Sequence, residues 1–314
     1  MTTLAGTTSE SGPWARVAGV LRRRTWLIVG VSLIGPLLAA AATRVMAGPG
    51  SSSPEFVTAV AFLVSLAVGC VVALLLEGPE RGLRSAAEVE AVMGLPTLGV
   101  VPSAAAQDGR VHLAVGREPA TPYAGAVWSV LDAIRAAGPC KVVLVTSTLP
   151  GEGKTTLAVS LAALAAQSGR VLLIDLDLRQ PNVHRALGHE AGAGLVEHVM
   201  EGRPLAEVLR RDEATGIDFL PVGAPTLDPS ELIESQRMRQ LLETGRAQYD
   251  LVVIDCAPVG IITDARIAAG LADKTVFVVQ WRATEASAAL DGARALRNAG
   301  VEPAGVVLTR AGPA

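Results

Sequence analysis

A glycine-rich stretch between an apolar run and a helix-like segment most restricts how this chain can fold. Residues 149–156 read L-P-G-E-G-K-T-T; the run V-V-L-V precedes them at 142–145, and a helix-like segment follows at 157–166. Glycines let backbone N–H groups curl around a phosphate, and the N-terminus of the next helix adds partial positive charge. The stretch therefore predicts a strand, a phosphate-binding loop and a helix, in that order.

The loop carries side chains suited to a nucleotide site. We expect Lys154 to reach the outer phosphates of ATP and Thr155 to place its hydroxyl on Mg²⁺. The other loop residues expected to contact the nucleotide are Pro150, Gly151, Glu152, Gly153 and Thr156. The pattern G-x-x-x-x-G-K-[ST] is met except at its first position, where Thr148 replaces glycine. The alternative is a chance glycine turn between a strand and a helix.

Two long uncharged runs lie near the N-terminus of a chain in which half of the 314 residues are apolar. They span 26–46, interrupted only by Arg44, and 56–76. Each is about 20 residues, or roughly 30 Å as a helix, which matches a bilayer core. They predict a transmembrane hairpin of two helices over 26–76 with a short external turn, after an N-terminal segment at 1–25. A buried soluble helix or a signal peptide is the alternative for each run.

Arginines are distributed asymmetrically around these runs. Arg22, Arg23 and Arg24 precede the first run, whereas Arg81 and Arg84 follow the second. By the positive-inside rule, both termini and the phosphate loop are expected in the cytoplasm. The net charge of −3 gives no indication of a nucleic-acid-binding surface.

Beyond the hairpin, we expect a juxtamembrane segment and linker at 77–122, with a helix at 86–93 and a short strand at 98–102. A domain follows at 123–314, which begins with a helix at 123–137. Its expected strands are 142–146, 171–176, 218–221, 251–255, 275–279 and 305–308, and its expected helices are 155–168, 229–246, 265–272 and 284–299. The apolar runs at 171–174 and 251–254 are continuous, which suits parallel strands buried on both faces. The pattern predicts a doubly wound α/β fold with a mostly parallel sheet, and a ligand at the carboxyl ends of its strands.

Two of these apolar strands end in aspartates. Asp175 and Asp177 lie at the end of one strand, and Asp255 lies at the end of another. A carboxylate at the tip of a parallel strand, beside a phosphate loop, is where Mg²⁺ needs oxygen ligands. If Asp175 or Asp177 is near the metal, the other can accept a proton from an incoming hydroxyl. A helix cap or a loop turn is the alternative for a lone aspartate at such a position.

With these motifs the chain resembles the bacterial tyrosine kinases that accompany polysaccharide co-polymerases in capsule and exopolysaccharide synthesis. These kinases are P-loop ATPases related to the MinD/ParA type. The MinD/ParA type has an extra lysine early in its phosphate loop, where this chain has Leu149, so the chain resembles the kinases more than that type. The resemblance covers nearly the whole chain. Its segments are T-S-T-L-P-G-E-G-K-T-T at 146–156, L-L-I-D-L-D-L-R-Q-P at 172–181, D-P-S-E-L-I at 228–233, Y-D-L-V-V-I-D-C-A-P at 249–258, G-I-I-T-D-A at 260–265, and, around the apolar runs, L-R-R-R-T-W at 21–26 and G-L-P-T-L-G-V-V-P at 94–102.

The resemblance implies roles for the residues that match these motifs. It implies that Lys154 holds phosphates and that Thr155 and Asp255 serve Mg²⁺. Asp175 and Asp177 would serve catalysis, with Asp177 also near the metal. The remaining residue is Arg179, which would steady the loop or a phosphate, or else form a surface ion pair.

The resemblance also implies a setting and partners. The chain would lie at the bacterial plasma membrane, act with polysaccharide polymerase or export proteins, form a homo-oligomer, and, as a kinase, act on a tyrosine-containing protein. Three features depart from the family pattern. The family usually ends in a cluster of tyrosines, whereas this sequence ends just after the last expected strand and its only tyrosines are Tyr123 and Tyr249. The short turn at 47–55 stands where the family has a large external domain. The family's E-x-x-R-x-x-R helix motif aligns with Gly125, Trp128 and Leu131, none of which matches it.

The leading hypothesis is a membrane-anchored ATPase of the tyrosine-kinase type that depends on Mg-ATP and acts in exopolysaccharide synthesis or chain-length control. A nucleotide-gated regulator with little catalysis is one alternative, favoured by the missing tyrosine cluster. A MinD/ParA-like positioning ATPase is another, and Leu149 and the membrane hairpin count against it.

Overall fold

The computed structural model describes residues 26, 29–30, 33–37, 54–76, 82–103, 110–226, 228–260 and 263–312. They belong to two compact units, which comprise Met1–Glu80 and Arg81–Ala314.

The N-terminal unit is helical wherever it is described. Helix α1 covers Pro54–Leu76, and residues 26, 29–30 and 33–37 are helical as well. Gly35 lies against α1, since a Cβ atom there would be 2.6 Å from Oγ of Ser65. Within the described part of the chain, no helix is both long enough and apolar enough to cross a membrane. The predicted transmembrane hairpin is therefore not confirmed; most of its first run and of its turn lies outside the described residues.

A single sheet runs through the second unit. Its strands, in chain order, are β1 (Thr97–Pro102), β2 (Val142–Ser147), β3 (Val171–Leu176), β4 (Arg210–Asp212), β5 (Ile217–Leu220), β6 (Leu251–Cys256), β7 (Lys274–Gln280) and β8 (Gly305–Ala311). They are ordered β1-β8-β7-β2-β6-β3-β5-β4 across the sheet. Neighbouring strands are parallel, except that β4 runs antiparallel to β5.

Helices cover both faces of the sheet. They are α2 (Ala86–Met93), α3 (Val111–Arg117), α4 (Pro122–Ala136), α5 (Lys154–Ala165), α6 (Val183–Leu187), α7 (Leu195–Val199), α8 (Leu205–Val208), α9 (Pro229–Glu234), α10 (Gln236–Gln248), α11 (Asp264–Ala269) and α12 (Ala286–Asn298). Helices α3 to α6 pack on one face, and α2 and α7 to α12 pack on the other. The predicted doubly wound α/β fold with a mostly parallel sheet is therefore confirmed.

The central strands explain why both faces need a helical layer. Strands β2, β3 and β6 are buried along their whole length. Successive side chains of a strand point to opposite faces, so Val143 and Leu173 lie in one apolar cluster while Leu144 and Ile174 lie in the other. A strand that is apolar on both sides is stable only when both sides are covered.

Several local expectations differ from the structure. The helix expected at 229–246 is divided, because Ser235 is extended and its hydroxyl accepts a 3.0 Å hydrogen bond from the N–H of Met238, which starts α10. Helix α3 lies within the expected linker, and β1, from the expected juxtamembrane segment, pairs with β8. Four elements between β3 and β5 were not predicted, since none exceeds five residues and none shows a clear period: α6, α7, α8 and β4.

Candidate nucleotide site

The loop after β2 turns through two glycines before α5 begins. Gly151 and Gly153 have φ angles of 84° and 92°, a region that other residues adopt at a steric cost. Gly153 precedes the first residue of α5 and has no side chain to cap it. The first N–H groups of a helix have no partner within the helix, so the start of α5 offers donors and partial positive charge to an anion.

Lys154 is the first residue of α5, and its ammonium lies among carboxylates. Its Nζ atom is 2.7 Å from Oδ2 of Asp177 and 3.7 Å from Oδ1 of Asp255. Burial by itself lowers the pKa of Lys154, but the charges of Asp255 and Asp177 outweigh it, and the pKa is raised. The ammonium therefore stays charged in an enclosed place.

Thr155 and Asp255 form the second contact between α5 and the sheet. Oγ1 of Thr155 donates a 2.6 Å hydrogen bond to Oδ2 of Asp255. The other oxygen, Oδ1, is buried and has no hydrogen-bond partner. Burial raises the pKa of Asp255 to about 6, although Lys154 opposes the rise. The ammonium of Lys154, 3.7 Å away, faces this oxygen without a hydrogen bond, so Oδ1 keeps an unused acceptor position that a cation can take.

This donor set fits Mg²⁺ bound together with a nucleotide. Magnesium prefers oxygen ligands and is usually held by one or two carboxylates plus substrate phosphates and water. Thr155 and Asp255 offer a hydroxyl and a carboxylate of that kind. Among the described residues, no group of three histidine, cysteine or acidic side chains is placed to hold a metal without such help.

The carboxylate of Asp175 is held by backbone hydrogen bonds. Its Oδ2 accepts from the N–H groups of Asn182 and Val183, both at 3.0 Å, and its Oδ1 accepts from the N–H of Asp177 at 3.2 Å. Burial, followed by the charge of the neighbouring Asp255, raises its pKa to about 7. Asp175 is inaccessible to solvent and anchors the loop that follows β3.

The space in front of α5 is a cleft of about 510 Å³. The predicted site residues that line it are Pro150, Gly151, Gly153, Lys154, Thr155, Thr156, Asp177 and Arg179. Arg179 also forms an ion pair with the buried Asp264, at 3.3 Å, so it lies both at the cleft and in an ion pair within the protein. Asp175, Asp255 and Glu152 do not line the cleft; Asp255 lies behind Lys154 and Thr155.

Glu152 is the loop residue whose side chain points into the protein. Its carboxylate accepts a 2.7 Å hydrogen bond from the N–H of Leu149 and another from the hydroxyl of Thr284, and it is almost fully buried. The structure therefore offers no side-chain contact from Glu152 to a ligand in the cleft.

Sequence reasoning missed further residues that line the cleft: Gln180, Pro181, Asn182, Arg185, Pro258 and Arg310. Two of them are cationic. Arg185 belongs to α6, which was too short to predict. Arg310 has a positive φ of 54° near the end of β8, a backbone feature that no sequence pattern indicated.

The two tyrosines of the sequence lie within the described residues and are buried. The hydroxyl of Tyr123 shares a 2.8 Å hydrogen bond with that of Ser160, and the hydroxyl of Tyr249 donates to Asp218 at 3.1 Å. Neither hydroxyl is placed to accept a phosphate in this conformation.

Comparison with known proteins gives a family and a set of relatives. The AAA_31 family, described as an AAA domain, matches residues 140–299. The chain is similar to a putative tyrosine-protein kinase, EpsB of Ralstonia nicotianae, with 31% identity over 82% of this chain and 36% of that protein. It is 29% identical to the succinoglycan biosynthesis transport protein ExoP of Rhizobium meliloti, over 75% of this chain and 34% of that protein.

A solved structure gives the same result for the fold. The kinase domain of the Escherichia coli tyrosine kinase ETK has a TM-score of 0.67 and 27% identity, and the match covers 73% of this chain and 94% of that domain. The chain spans about a third of the length of EpsB and ExoP.

Proposed function

We propose, from the premise that this chain belongs to the AAA_31 family and to the bacterial tyrosine kinases, that it is a membrane-anchored ATPase of the tyrosine-kinase type. It uses Mg-ATP and acts in exopolysaccharide synthesis or in the control of chain length. The observation that carries this proposal is that Lys154 and Thr155, which line one cleft, contact Asp177 and the buried Asp255 respectively.

Each of these side chains has a proposed task. Lys154 holds the outer phosphates by charge, and the N–H groups of 151–156 surround them. Thr155 and Asp255 hold Mg²⁺, with Asp177 reaching it directly or through water. Held there, Mg²⁺ would supply positive charge to the transferred phosphoryl group.

Asp177 is also the proposed acceptor of the proton from the attacking hydroxyl. It lines the cleft, and its contact with Lys154 orients its carboxylate. Asp175 supports this task indirectly in our proposal, because it fixes the backbone from which Asp177 and Arg179 extend. Since both tyrosines are buried, the proposed phosphate acceptor is a tyrosine of another protein.

The polysaccharide role and the membrane anchor are proposed from the sequence and the relatives. The name of ExoP describes a succinoglycan biosynthesis transport protein, which supports polysaccharide polymerase or export proteins as partners. The uncharged runs at 26–46 and 56–76 support an anchor with both termini in the cytoplasm of a bacterium. Retention in the membrane pellet after carbonate washing is the expected result; release into the supernatant contradicts the anchor.

The activity is tested with the purified full chain in Mg-ATP. Phosphotyrosine on a glutamate–tyrosine polymer that disappears in Lys154→Met supports the kinase. Phosphate release without phosphotyrosine supports an ATPase alone. Tight nucleotide binding without turnover supports a nucleotide-gated regulator, an alternative favoured by the hydrogen bonds that hold both tyrosine hydroxyls within the protein. No affinity for ATP or ADP in the presence of Mg²⁺ overturns the proposal.

A further inference from the structure

The strip, defined as residues 82–84, is hydrogen-bonded to the segment that precedes α12. The N–H of Leu83 donates to the carbonyl of Thr284 at 3.1 Å, and the N–H of Arg282 donates to the carbonyl of Leu83 at 2.8 Å. The indole Nε1 of Trp281 donates to the carbonyl of Arg84 at 2.8 Å. The Leu83 side chain is inaccessible to solvent. The strip is therefore tied to this segment by its backbone and by a buried side chain.

Gly82 sets how closely the strip approaches. A Cβ atom at this position would lie 2.2 Å from the carbonyl carbon and 2.4 Å from the carbonyl oxygen of Arg282. Both are backbone atoms, which cannot rotate aside as a side chain does. Any larger residue at 82 must push the strip away from the Arg282 backbone.

Thr284 connects this segment to the phosphate loop. Its carbonyl accepts from the strip, while its hydroxyl donates to the carboxylate of Glu152 and accepts from the N–H of Gln280 at 2.9 Å. Thr284 and Glu152 are 2% and 3% exposed, so water cannot readily replace either partner. Thr284 and Glu152 thus connect the strip, which follows the two predicted membrane runs in the sequence, to the phosphate loop.

Glu152 is fixed from several sides. Its carboxylate accepts from the N–H of Leu149, which closes the loop upon itself, and its own carbonyl accepts a 2.5 Å hydrogen bond from the hydroxyl of Thr309. Burial raises the pKa of Glu152, whereas the donors from Leu149 and Thr284 lower it. Without Thr284, a buried carboxylate oxygen loses its donor, and such a loss costs more than an exposed hydrogen bond would.

We propose that Glu152 is a positioning residue for the phosphate loop, and that Thr284 transmits to it the position of the strip. This inference rests on the proposed binding of Mg-ATP. The loop binds phosphate through N–H groups that must point to one place, so a loop held in advance loses less entropy on binding. Movement of the strip displaces Thr284, which breaks its hydrogen bond to Glu152. The loop is then less ordered, and its affinity for the nucleotide falls.

The first test replaces the hydroxyl of Thr284 while keeping its shape. In the full chain, Thr284→Val removes the donor to the Glu152 carboxylate and the acceptor for the N–H of Gln280, and it is expected to raise the dissociation constant of Mg-ATP about tenfold. Thr284→Ser restores the hydroxyl and is expected to restore the affinity. The matched control is Thr275→Val, because the hydroxyl of Thr275 is also buried but has no hydrogen-bond partner. It is expected to bind as the wild type does.

The second test moves the strip without touching the loop. Gly82→Ala is expected to weaken Mg-ATP binding to a similar extent, and the double variant Gly82→Ala/Thr284→Val is expected to be no weaker than Thr284→Val alone, since both act along one path. Gly125→Ala is the control, because a Cβ atom at 125 meets nothing within 4 Å.

The results separate this inference from the proposed function. Thr284→Val with normal affinity and only a lower melting temperature overturns the role of Glu152. Additive losses in the double variant, or normal affinity in Gly82→Ala, overturn the transmission from the strip. A wild-type chain that binds no Mg-ATP overturns the proposed function itself.

Discussion

The ammonium of Lys154 lies 2.7 Å from the carboxylate of Asp177, where each neutralises the other inside the cleft. A phosphate oxygen that enters the cleft needs the same ammonium. In the proposed function, phosphate binding and the ion pair therefore compete for Lys154, and binding would leave Asp177 free to act on another group. The contact would therefore couple nucleotide binding to the availability of the Asp177 carboxylate as a proton acceptor.

Lys154→Met is expected to weaken Mg-ATP binding by about a hundredfold or more. The change removes the cation and leaves the carboxylates of Asp177 and Asp255 to repel the phosphates, and loss of one partner of a buried ion pair costs about 3–5 kcal/mol. Titration with a fluorescent ATP analogue measures the effect. Lys141→Met is the matched control, because Nζ of Lys141 donates to the carbonyl of Tyr249 and does not line the cleft. Equal affinity in the two variants contradicts the assignment of Lys154.

Asp177→Asn and Asp175→Asn are expected to fail in different ways. The Asp177 variant should bind Mg-ATP but turn it over roughly 10²–10⁴-fold more slowly, the usual loss when a general base is removed. The Asp175 variant should instead melt at a lower temperature, because the Asp175 carboxylate accepts three backbone N–H groups. Single-turnover rates and melting curves, measured on both proteins, separate the two.

For this pair, a normal melting temperature with abolished turnover in Asp175→Asn would indicate that Asp175 takes part in the proton transfer. Unchanged turnover in Asp177→Asn would remove Asp177 from the proton transfer.

The sequence predicted best what depends on local pattern and burial. Strand β3 begins and ends where expected, because a strand buried on both faces requires a continuous apolar run. Helix α2 also has the expected limits, since the Ser85 hydroxyl caps its first turn and Gly94 ends it in a left-handed conformation. Ser235 did not stand out in the same way, because the helical period continues on both sides of it.

Side-chain direction at the site was beyond sequence patterns. Residues two apart on a strand share a face, which would place Asp175 and Asp177 side by side. Strand β3 ends at Leu176, so the chain turns between them and only Asp177 reaches the cleft. The inward direction of Glu152 depends on Thr284, which is distant in sequence and meets it only in the folded sheet.

Thr155→Val is expected to raise the Mg²⁺ concentration needed for half-maximal turnover about tenfold. The variant keeps the branched shape of the side chain but loses the hydroxyl that is hydrogen-bonded to Asp255 and is proposed to face the metal. Thr155→Ser keeps the hydroxyl and should behave as the wild type. Initial rates over a range of Mg²⁺ at fixed ATP measure the shift, and a curve that does not move in Thr155→Val argues against Thr155 as a metal ligand.

Asp273→Asn tests the end of the sheet opposite the cleft. There the carboxylate of Asp273 accepts hydrogen bonds from the N–H groups of Lys141 and Val142, at 2.8 and 2.9 Å. It also forms an ion pair with Arg246 at 2.7 Å. Burial acts to raise the pKa of Asp273, but these donors, Arg246 foremost, outweigh it and lower the pKa. A lowered carboxyl pKa gives stability that is present above the pKa of the unfolded chain and lost as the pH falls through the folded value. Because Asp273 is exposed and its ion pair is screened by solvent, the variant should be less stable than the wild type by only about 1 kcal/mol at pH 7.

That difference should stay constant down to about pH 5 and shrink below about pH 4, where the carboxyl group of the wild type takes up its proton. Urea unfolding at a series of pH values measures it. The control is Asp291→Asn, because Asp291 is largely exposed and lies 3.7 Å from Arg294, a surface contact that contributes little. A stability difference for Asp273→Asn that persists unchanged to pH 3 would mean that its packing, rather than its charge, holds the ends of β2 and β7 together.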